Sequence, residues 1–571
     1  MQEIISNLIK NACEKLSLEV PAFSVEHPND LSHGDYATNI ALIIGKKIGK
    51  SPQEVSVQIK SEIDKALPDT IEKVEIAGPG FINFYLSSKF FTNSIQDIVN
   101  EGERFGRNDS LAGQLVVCEY TTQNLFKVMH VGHLMSNTIG EALACLAEAN
   151  GASVARTNYQ GDIGLHVAKA VWGMKQNLMS LPKNDATVND RSSFIGKCYA
   201  FGNNEYEVNE DAKKEIIDIN KKLFAKSNID LNDLYNKGRM WSLEAFDVMY
   251  NILGTNFYRL FFESETVDVA IKTVKEGLSK GIFEESDGAI VYKGEKKGLH
   301  TRVFLNKHGL PTYEAKELGL AQIKAQSFDA NKFIIITGNE QKEYMKVVHA
   351  VLEDIFPDIY KKTEHITHGF LRLVTGKMSS RTGNIISADS IIMDVSSLVE
   401  EKMKDSEIDP VSKITTVLNI AVAAIKYSIL RQALGKDIVF DFDKSISFEG
   451  DSGPYLQYTC SRANSILKKA EAEAVSFTGV NKPADWQTTL VEKLLYQFPE
   501  VVKIAYYEKS PHKLITYLTE LSSAFNSFYG SNKIVDKNDP ASGYKVMLSQ
   551  AVKTVLENGL IFVGMPVARN M

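Results

Sequence analysis

Two short segments determine the fold of this chain: Val116–Tyr120, which reads VVCEY, and His130–His133, which reads HVGH. The first segment is brief, β-branched and aromatic and is followed by polar turn residues, which predicts a buried strand. From Leu134 onward apolar residues recur at helical spacing, and Asn150-Gly151 is a helix stop signal. The two histidines are therefore predicted to lie where a strand passes into the N-terminus of a helix.

A helix N-terminus offers unpaired backbone N–H groups and the positive end of the helix dipole, which suit a phosphate group. Gly132 has no side chain, so a flat base or a ribose can lie against the backbone there. Two other interpretations of HVGH stay open. The histidines can form a metal pair, although no third ligand follows at zinc-protease spacing, or they can simply cap the helix.

A second motif lies far downstream at Gly376–Asn384, which reads GKMSSRTGN. A glycine-flanked loop that carries Lys377, two serines and Arg381 is suited to move and to bind phosphates. A basic loop alone is usually a solvated turn. Together with HVGH, about one Rossmann-type domain away, it predicts a nucleotide site.

The composition predicts a soluble protein with several domains. The chain has 571 residues, of which 44% are hydrophobic and 24% charged, and this length suits about three domains. Its five cysteines are scattered without a CxxC pair, which predicts a reducing compartment, no disulfides and no structural zinc. The net charge of −7 does not indicate general RNA binding, so any RNA contact must come from local patches.

The chain ends and apolar runs predict a cytoplasmic protein that does not enter a membrane. The N-terminus carries an early acid, Glu3, and lacks the apolar segment of a signal peptide. The run Ile420–Leu430 is interrupted by Lys426 and is too short to span a bilayer.

Three domains are predicted. Residues 1–107 form an α+β unit, and residues 108–395 an α/β domain with a Rossmann-type, doubly wound parallel sheet and an insertion at about 176–263. Residues 396–571 form an α-helical bundle. The strands expected in 108–395 are 115–120, 153–158, 290–293, 302–305, 333–337 and 385–387, and the expected bundle helices are 414–434, 455–472, 488–508, 512–529 and 541–558.

At these motifs the chain resembles class I aminoacyl-tRNA synthetases, since HVGH is similar to their first signature and KMSSR to their second. The segments NYQGD at 158–162 and SGPYLQY at 452–458, with a terminal methionine, narrow the resemblance to the arginyl-tRNA synthetases. It covers essentially the whole chain. It implies ATP-dependent ligation of L-arginine to tRNA(Arg) through an arginyl-adenylate, with Mg²⁺ accompanying ATP and a monomeric protein.

The resemblance implies roles in binding and activating ATP. His130 and His133 would hydrogen-bond phosphate and ribose oxygens, with Gly132 beneath the adenine. The downstream loop would bind ATP and stabilise the departing pyrophosphate through Lys377, Met378, Ser379, Ser380 and Arg381. Ser380 stands where the general class I pattern has lysine, and the resemblance gives the missing charge to Lys127, three residues before His130.

The amino-acid pocket must hold a guanidinium, a planar fork of five donors that calls for carboxylates. The resemblance implies that Glu119, Glu317 and Tyr313 bind it, while Asn124 and Gln341 bind the α-amino and carboxylate groups. Two departures from the family pattern concern this pocket. Glu317 replaces an aspartate, and His166 stands where relatives usually carry glutamine.

The resemblance also implies tRNA contacts. Phe81 and Asn83 would read a D-loop base, and four further residues would contact the anticodon loop: Tyr455, Thr459, Tyr529 and Met571. The alternative is that Phe81 is a core residue and Asn83 an ordinary strand residue.

Two other functions stay open at this point. One is another class I specificity such as cysteine or lysine, against which the two pocket carboxylates and the planar fork argue. The other is a tRNA-binding module with a silenced active site, suggested by Ser380, Glu317 and His166.

Overall fold

The structure, a computed structural model, describes residues 1–28, 30–183, 185–374, 386–406, 408–477 and 479–568. It divides into two compact units. The first comprises Met1–Phe105, Arg462–Pro499 and Leu521–Leu556, and the second comprises Gly106–Ser461, Glu500–Glu520 and the chain from Glu557 on. This division differs from the three predicted domains, whose boundaries stay a prediction.

The described elements are given in chain order. The strands are β1 Val25–Glu26, β2 Tyr36–Thr38, β3 Ile71–Ala77, β4 Phe81–Leu86, β5 Leu115–Glu119, β6 Ser153–Gln160, β7 Arg259–Phe262, β8 Glu284–Ser286, β9 Ala289–Tyr292, β10 Arg302–Leu305, β11 Lys332–Gly338, β12 Thr363–His368, β13 Leu371–Leu373 and β14 Ile438–Phe440. The helices are α1 Gln2–Lys15, α2 Ile40–Ile48, α3 Pro52–Asp64, α4 Ser88–Glu101, α5 Val131–Ala149, α6 Leu165–Gln176, α7 Val188–Val208, α8 Glu210–Ala225, α9 Ile229–Leu253, α10 Glu263–Ser279, α11 Tyr313–Ser327, α12 Lys342–Ile355, α13 Pro357–Lys362, α14 Ala388–Lys402, α15 Pro410–Leu430, α16 Phe442–Ser445, α17 Gly453–Ala472, α18 Leu490–Leu495, α19 Phe498–Tyr507, α20 Pro511–Ser531 and α21 Ser542–Phe562.

The first unit is built on an antiparallel sheet with strand order β1-β2-β4-β3. Ile5 and Ile9 of α1 and Phe84 of β4 are buried in its core, and Tyr496 lies in the same core. The Asp35 carboxylate accepts the Leu86 N–H at 2.8 Å and lies 3.4 Å from the Lys493 ammonium. The segment 462–499 therefore packs with the N-terminal residues.

The second unit contains a parallel five-stranded sheet with the order β12-β11-β5-β6-β7. The predicted strand 115–120 is β5, at the centre, where it pairs with both β6 and β11. The α/β, Rossmann-type fold class is confirmed. The carboxyl ends of parallel strands meet at one edge of the sheet, where ligands bind in such folds, and Glu119 is the last residue of β5.

Two predicted strands belong to a different sheet. β9 and β10, expected at 290–293 and 302–305, form with β8 an antiparallel sheet of order β10-β9-β8. β8 and β9 are joined by Asp287-Gly288, both with positive φ (49° and 76°). Such a two-residue turn forms an antiparallel hairpin and carries an Asp-Gly signal in the sequence, so assigning β9 and β10 to the parallel sheet was wrong.

The parallel sheet instead contains β7 and β12, which the sequence analysis missed. β7 lies inside the predicted insertion at 176–263, yet its residues pair with β6 from Thr157 to Gln160. The inserted helices are α7, α8 and α9, which share an apolar core with α6. The insertion therefore ends before β7.

The helical character of the C-terminal region is confirmed, with one difference. The predicted helix 488–508 is two helices, α18 and α19, with Pro499 in the first turn of α19. Proline lacks the N–H that would continue a preceding helix, which accounts for the break.

Among the described residues, α15 is the one helix long and apolar enough to cross a membrane by length and composition. Its apolar window is 61% buried inside the protein, as in the core helix of a soluble protein. Near its C-terminal end Lys426 donates to the carbonyls of Leu253 and Gly564 at 2.7 and 2.6 Å.

Candidate active site

The N-terminus of α5 is closed by the two histidines of HVGH. His130 is the N-cap, and its Nδ1 accepts the N–H of Gly132 at 3.1 Å, while His133 Nδ1 accepts the N–H of His130 at 3.2 Å. The N–H of Val131 donates to the carbonyl of Ile386 at 3.0 Å. The expectation of unpaired N–H groups at this helix end was wrong, because a histidine capping box and a backbone carbonyl satisfy them.

The same cap makes both histidines hydrogen-bond donors on their other nitrogen. Since each Nδ1 accepts a hydrogen bond from a backbone N–H, a neutral ring must carry its proton on Nε2. Burial lowers the pKa of both rings, so they are neutral. The rings stack with centroids 3.7 Å apart. A Cβ on Gly132 would lie 2.9 Å from His130 Cε1, so glycine is needed at this position.

The loop between β5 and α5 has a strained backbone. Thr121, Thr122 and Phe126 have positive φ values of 77°, 46° and 63°, a conformation that is costly for branched and bulky residues. Buried polar groups hold the loop in place, for example Ser136 Oγ, which accepts the Thr121 N–H at 3.1 Å, and Ser242 Oγ, which accepts the Phe126 N–H at 3.0 Å. Strain that is held in this way is typical of functional loops.

This loop carries Lys127 and Asn124. The Lys127 ammonium lies 4.8 Å from the centre of the Tyr199 ring and is close enough to depress the pKa of His130 and of His133. Asn124 pairs with Gly161, where a Cβ would lie 2.0 Å from Asn124 Oδ1. The glycine of NYQGD therefore leaves room for Asn124.

Glu119, at the carboxyl end of β5, is buried and is already paired. The ammonium of Lys324, on α11, donates to Glu119 Oε2 at 2.8 Å, and both side chains are shielded from solvent. A buried carboxylate is stable only when it is paired and hydrogen-bonded. This pair leaves Oε1 of Glu119 for a ligand.

Glu317 is the second predicted pocket acid and has a different charge state. Burial, followed by the neighbouring Glu119 carboxylate, raises the pKa of Glu317 to about 8, against the opposing effect of Lys324 and Lys316. Lys316 itself pairs with Glu263 at 2.5 Å in a second buried ion pair, and burial raises the pKa of Glu263.

The remaining predicted pocket residues lie on α11 and just before α12. Tyr313 begins α11, one turn before Glu317 as expected, and its ring lies 4.5 Å from the Lys316 ammonium. Gln341 Oε1 accepts the Tyr344 hydroxyl at 3.0 Å. The amide NH₂ of Gln341 is therefore the group available to a carboxylate.

His166, the second departure from the family pattern, is uncharged. Its pKa is lowered to about 4, first by burial and then by Lys127. Its Nε2 lies 3.2 Å from the carbonyl of Gly161.

The sequence analysis missed five residues that the structure places around these groups: Glu263, Lys316, Lys324, Tyr344 and His368. Lys316 and Lys324 lie on the helix of Glu317, so the helical spacing alone could have indicated Lys324, seven residues after Glu317. The buried His368 ring bonds the Gly369 carbonyl through Nδ1 at 2.8 Å and affects the pKa of His133. Nothing in the sequence pointed to Glu263, which begins α10 and meets Lys316 of α11 only through folding.

The predicted tRNA residues differ in exposure. Phe81, at the start of β4, is 39% exposed, whereas Asn83 is only 4% exposed between β2 and β3. Tyr529 is 41% exposed, with the Arg462 guanidinium 4.8 Å from its ring centre. Tyr455 is partly exposed, but Thr459 is buried and its hydroxyl donates to the Tyr455 carbonyl at 2.9 Å.

Six predicted site residues lie outside the described residues: Lys377, Met378, Ser379, Ser380, Arg381 and Met571. Their roles stay predictions from the sequence.

The parallel sheet, with a histidine-capped helix after its central strand, defines a class I aminoacyl-tRNA synthetase, and the family model described as "tRNA synthetases class I (R), catalytic domain" matches residues 94–442. Models described as "Arginyl tRNA synthetase N terminal domain" and "DALR anticodon binding domain" match residues 3–86 and 456–571. The chain belongs to the arginyl-tRNA synthetase family.

Individual relatives are similar to this chain over nearly its whole length. An arginine–tRNA ligase of Borreliella burgdorferi is 29% identical over 99% of this chain and 97% of its own, and one of Oenococcus oeni is 29% identical over 96% and 95%. The arginyl-tRNA synthetase structure of Thermus thermophilus has a TM-score of 0.80 at 22% identity and covers both chains fully. The Plasmodium falciparum structure has a TM-score of 0.79 at 21% identity, covering 100% of this chain and 99% of its own.

Proposed function

We propose that this chain ligates L-arginine to tRNA(Arg) at the expense of ATP, through an arginyl-adenylate. Membership of the arginyl-tRNA synthetase family supports the reaction. The observation that supports the amino-acid specificity is the buried carboxylate pair Glu119 and Glu317 at the carboxyl edge of the sheet, a surrounding that suits a cation.

The arginine side chain would lie between the two acids. Glu119 Oε1 and the Glu317 carboxylate accept N–H groups of the planar guanidinium, and the Tyr313 ring packs beside them. Asn124 and the free NH₂ of Gln341 bind the α-amino and carboxylate ends. This orientation directs the arginine carboxylate toward α5.

The nucleotide would lie at the N-terminus of α5. The Nε2–H groups of His130 and His133 donate to phosphate and ribose oxygens, and Gly132 lets the adenine approach the backbone. ATP brings its phosphates to Lys127 and to the downstream loop with Lys377, Met378, Ser379, Ser380 and Arg381, in which Ser380 departs from the usual lysine. Mg²⁺ accompanies the phosphates, and the described residues hold no cluster of three or more metal-ligating side chains.

The chemistry needs positioning and charge stabilisation. An oxygen of the arginine carboxylate attacks the α-phosphorus, and the bond to pyrophosphate breaks. No protein base is required because the carboxylate is already a nucleophile. The neutral histidines and the cationic Lys127 stabilise the charge that develops on the phosphates. A ribose hydroxyl at the end of tRNA then attacks the acyl carbon, and AMP leaves.

The tRNA would be bound by exposed aromatic residues. Phe81 stacks on a D-loop base, and Tyr455, Tyr529 and Met571 contact the anticodon loop. Asn83 and Thr459 are buried, so a direct contact with a base requires the surrounding side chains to move. We further propose a monomer in the cytoplasm.

ATP–pyrophosphate exchange, measured with and without tRNA, tests the function. Exchange that depends on arginine supports it, and the family resemblance implies that tRNA is needed. Exchange with another amino acid would indicate a different class I specificity. No exchange under any condition would indicate a tRNA-binding module without activity.

A further inference from the structure

The floor of the arginine pocket contains two buried lysines in addition to its acids. Lys324 holds Glu119, with side-chain exposures of 4% and 2%, and Lys316 holds Glu263, with exposures of 8% and 7%. Burying two ammonium groups is costly. The presence of two buried positive charges beside a proposed site for a cationic substrate therefore needs a functional explanation.

The geometry of α11 brings Lys324 beneath Glu119. Glu317 and Lys324 are seven residues apart, two helical turns, and line the same small cavity of about 10 Å³, which is the size of one water molecule. From α11 the Lys324 side chain reaches across to β5 and ends on one oxygen of Glu119. Lys324 thus fixes the orientation of that carboxylate through Oε2 and leaves Oε1 for a ligand.

The charges in this cluster sum to minus one once Glu317 has lost its proton. Three carboxylates (Glu119, Glu263 and Glu317) face two ammonium groups when all are ionised. Among the described residues no cationic nitrogen forms an ion pair with Glu317. One guanidinium with a single positive charge completes the balance, whereas without the lysines the floor would carry three negative charges.

We infer that Lys324 is a positioning residue of the arginine site: it orients Glu119 and neutralises it, so that the pocket presents one net negative charge to one guanidinium. This inference rests on the proposed arginine site. It assigns Lys324 no contact with the substrate, and it predicts an effect on arginine binding rather than on ATP.

Removal of the ammonium should also change the pH dependence of arginine binding. With Lys324→Met, Glu119 loses its ammonium partner, and Glu317 loses a nearby positive charge that lowers its pKa. Glu317 therefore keeps its proton to a higher pH, and arginine must displace that proton. The titratable groups that face Glu317 are Glu119 on β5, Tyr159 on β6, Glu263 at the start of α10, Lys316 and Lys324 on α11 and Tyr344 on α12. Of these the substitution removes only Lys324.

The experiment compares Lys324→Met and Lys324→Arg with the unaltered full-length protein in arginine-dependent aminoacylation. We expect Lys324→Met to raise the KM for arginine about 30-fold, to leave the KM for ATP within about twofold and to steepen the fall of the arginine KM with rising pH. Lys324→Arg keeps the charge and should restore most of the affinity. Lys332→Met, which removes a lysine from a partly exposed pair with Glu364 on the same sheet, is the matched control and should change none of these values.

Two outcomes would overturn the inference. One is an unchanged arginine KM and pH profile in Lys324→Met. The other is an equal loss for arginine and ATP in both Lys324 variants, with a lowered melting temperature, which would indicate a structural role only. Glu119→Gln and Glu317→Gln distinguish failure of the Lys324 inference from failure of the proposed arginine site. If both variants leave the arginine KM unchanged, the proposed site is misplaced. If both raise the arginine KM while Lys324→Met does not, only the role of Lys324 fails.

Discussion

The helix cap at the proposed nucleotide end is built from four consecutive residues, His130–His133, whereas the proposed arginine end is assembled from β5, α10, α11 and α12. In the cap the His133 ring accepts the N–H of His130, the His130 ring accepts the N–H of Gly132, and both rings are neutral. At the arginine end Glu119 and its partner Lys324 are separated by 205 positions, and the groups there are charged and buried.

This difference in construction predicts how a substitution at each end affects stability and activity. A local cap depends on backbone geometry, so a substitution that keeps the cap should leave folding intact and remove only the chemistry. A buried charge cluster depends on every member, because removing one leaves its partner unpaired in a medium of low dielectric. The predictions below test this contrast.

Glu119→Gln should have the largest effect. It removes an acceptor for the guanidinium and leaves the buried Lys324 ammonium without its carboxylate, so we expect kcat/KM for arginine to fall about 10³-fold. Steady-state aminoacylation kinetics at varied arginine concentration measure this kcat/KM. Glu364→Gln, which removes an acid from a partly exposed pair with Lys332, should change kcat/KM for arginine by less than twofold. An equal loss of kcat/KM in Glu119→Gln and Glu364→Gln would contradict the expectation that the buried charges depend on their partners.

His130→Asn separates the cap from the chemistry. Asparagine is a good N-cap, so the melting temperature should stay the same, but the Nε2–H donor is lost and adenylate formation should slow on the order of 300-fold. Pyrophosphate exchange and thermal unfolding are the two measurements. His130→Ala should lose stability by about 1 kcal/mol as well. A normal exchange rate in His130→Asn would mean that the histidine only caps the helix.

Lys127→Ala should slow adenylate formation about 100-fold, because it removes one charged contact with the phosphates in the transition state. Lys197→Ala, an exposed lysine on the same helix as Tyr199, is the control and should be neutral. An exchange rate within a factor of two of the unaltered protein would refute the role given to Lys127.

The arginine KM should fall about 20-fold between pH 6.5 and 8.5, since Glu317, whose pKa is raised to about 8, must lose its proton to accept the guanidinium. The same shift affects stability. The folded free protein prefers Glu317 in its neutral form. The stability that this preference contributes is fully present below the ordinary pKa of 4.5 and is lost as the pH rises toward about 8. Glu317→Gln should flatten both profiles, and an unchanged KM profile in that variant would show that another group titrates.

Much of the fold followed from local patterns. β5, α5 and β11 lie close to the predicted ranges because their apolar residues recur at strand or helix spacing and their ends carry stop signals. β7 and β12 were missed since short strands have little periodic signal, and β9 and β10 were misassigned because a strand pattern does not identify its partner. The Asp287-Gly288 turn was the available signal for that hairpin.

By itself the sequence predicted the position of a nucleotide site and the identity of two pocket acids and determined the resemblance to the family, because each rests on neighbouring residues or on a motif. Only the tertiary structure decided which charges meet. Lys324 and Lys316 join the proposed arginine site because folding brings α11 against β5 and α10. Burial there lowers the effective dielectric constant, so their charges interact with the neighbouring carboxylates more strongly than they would in water.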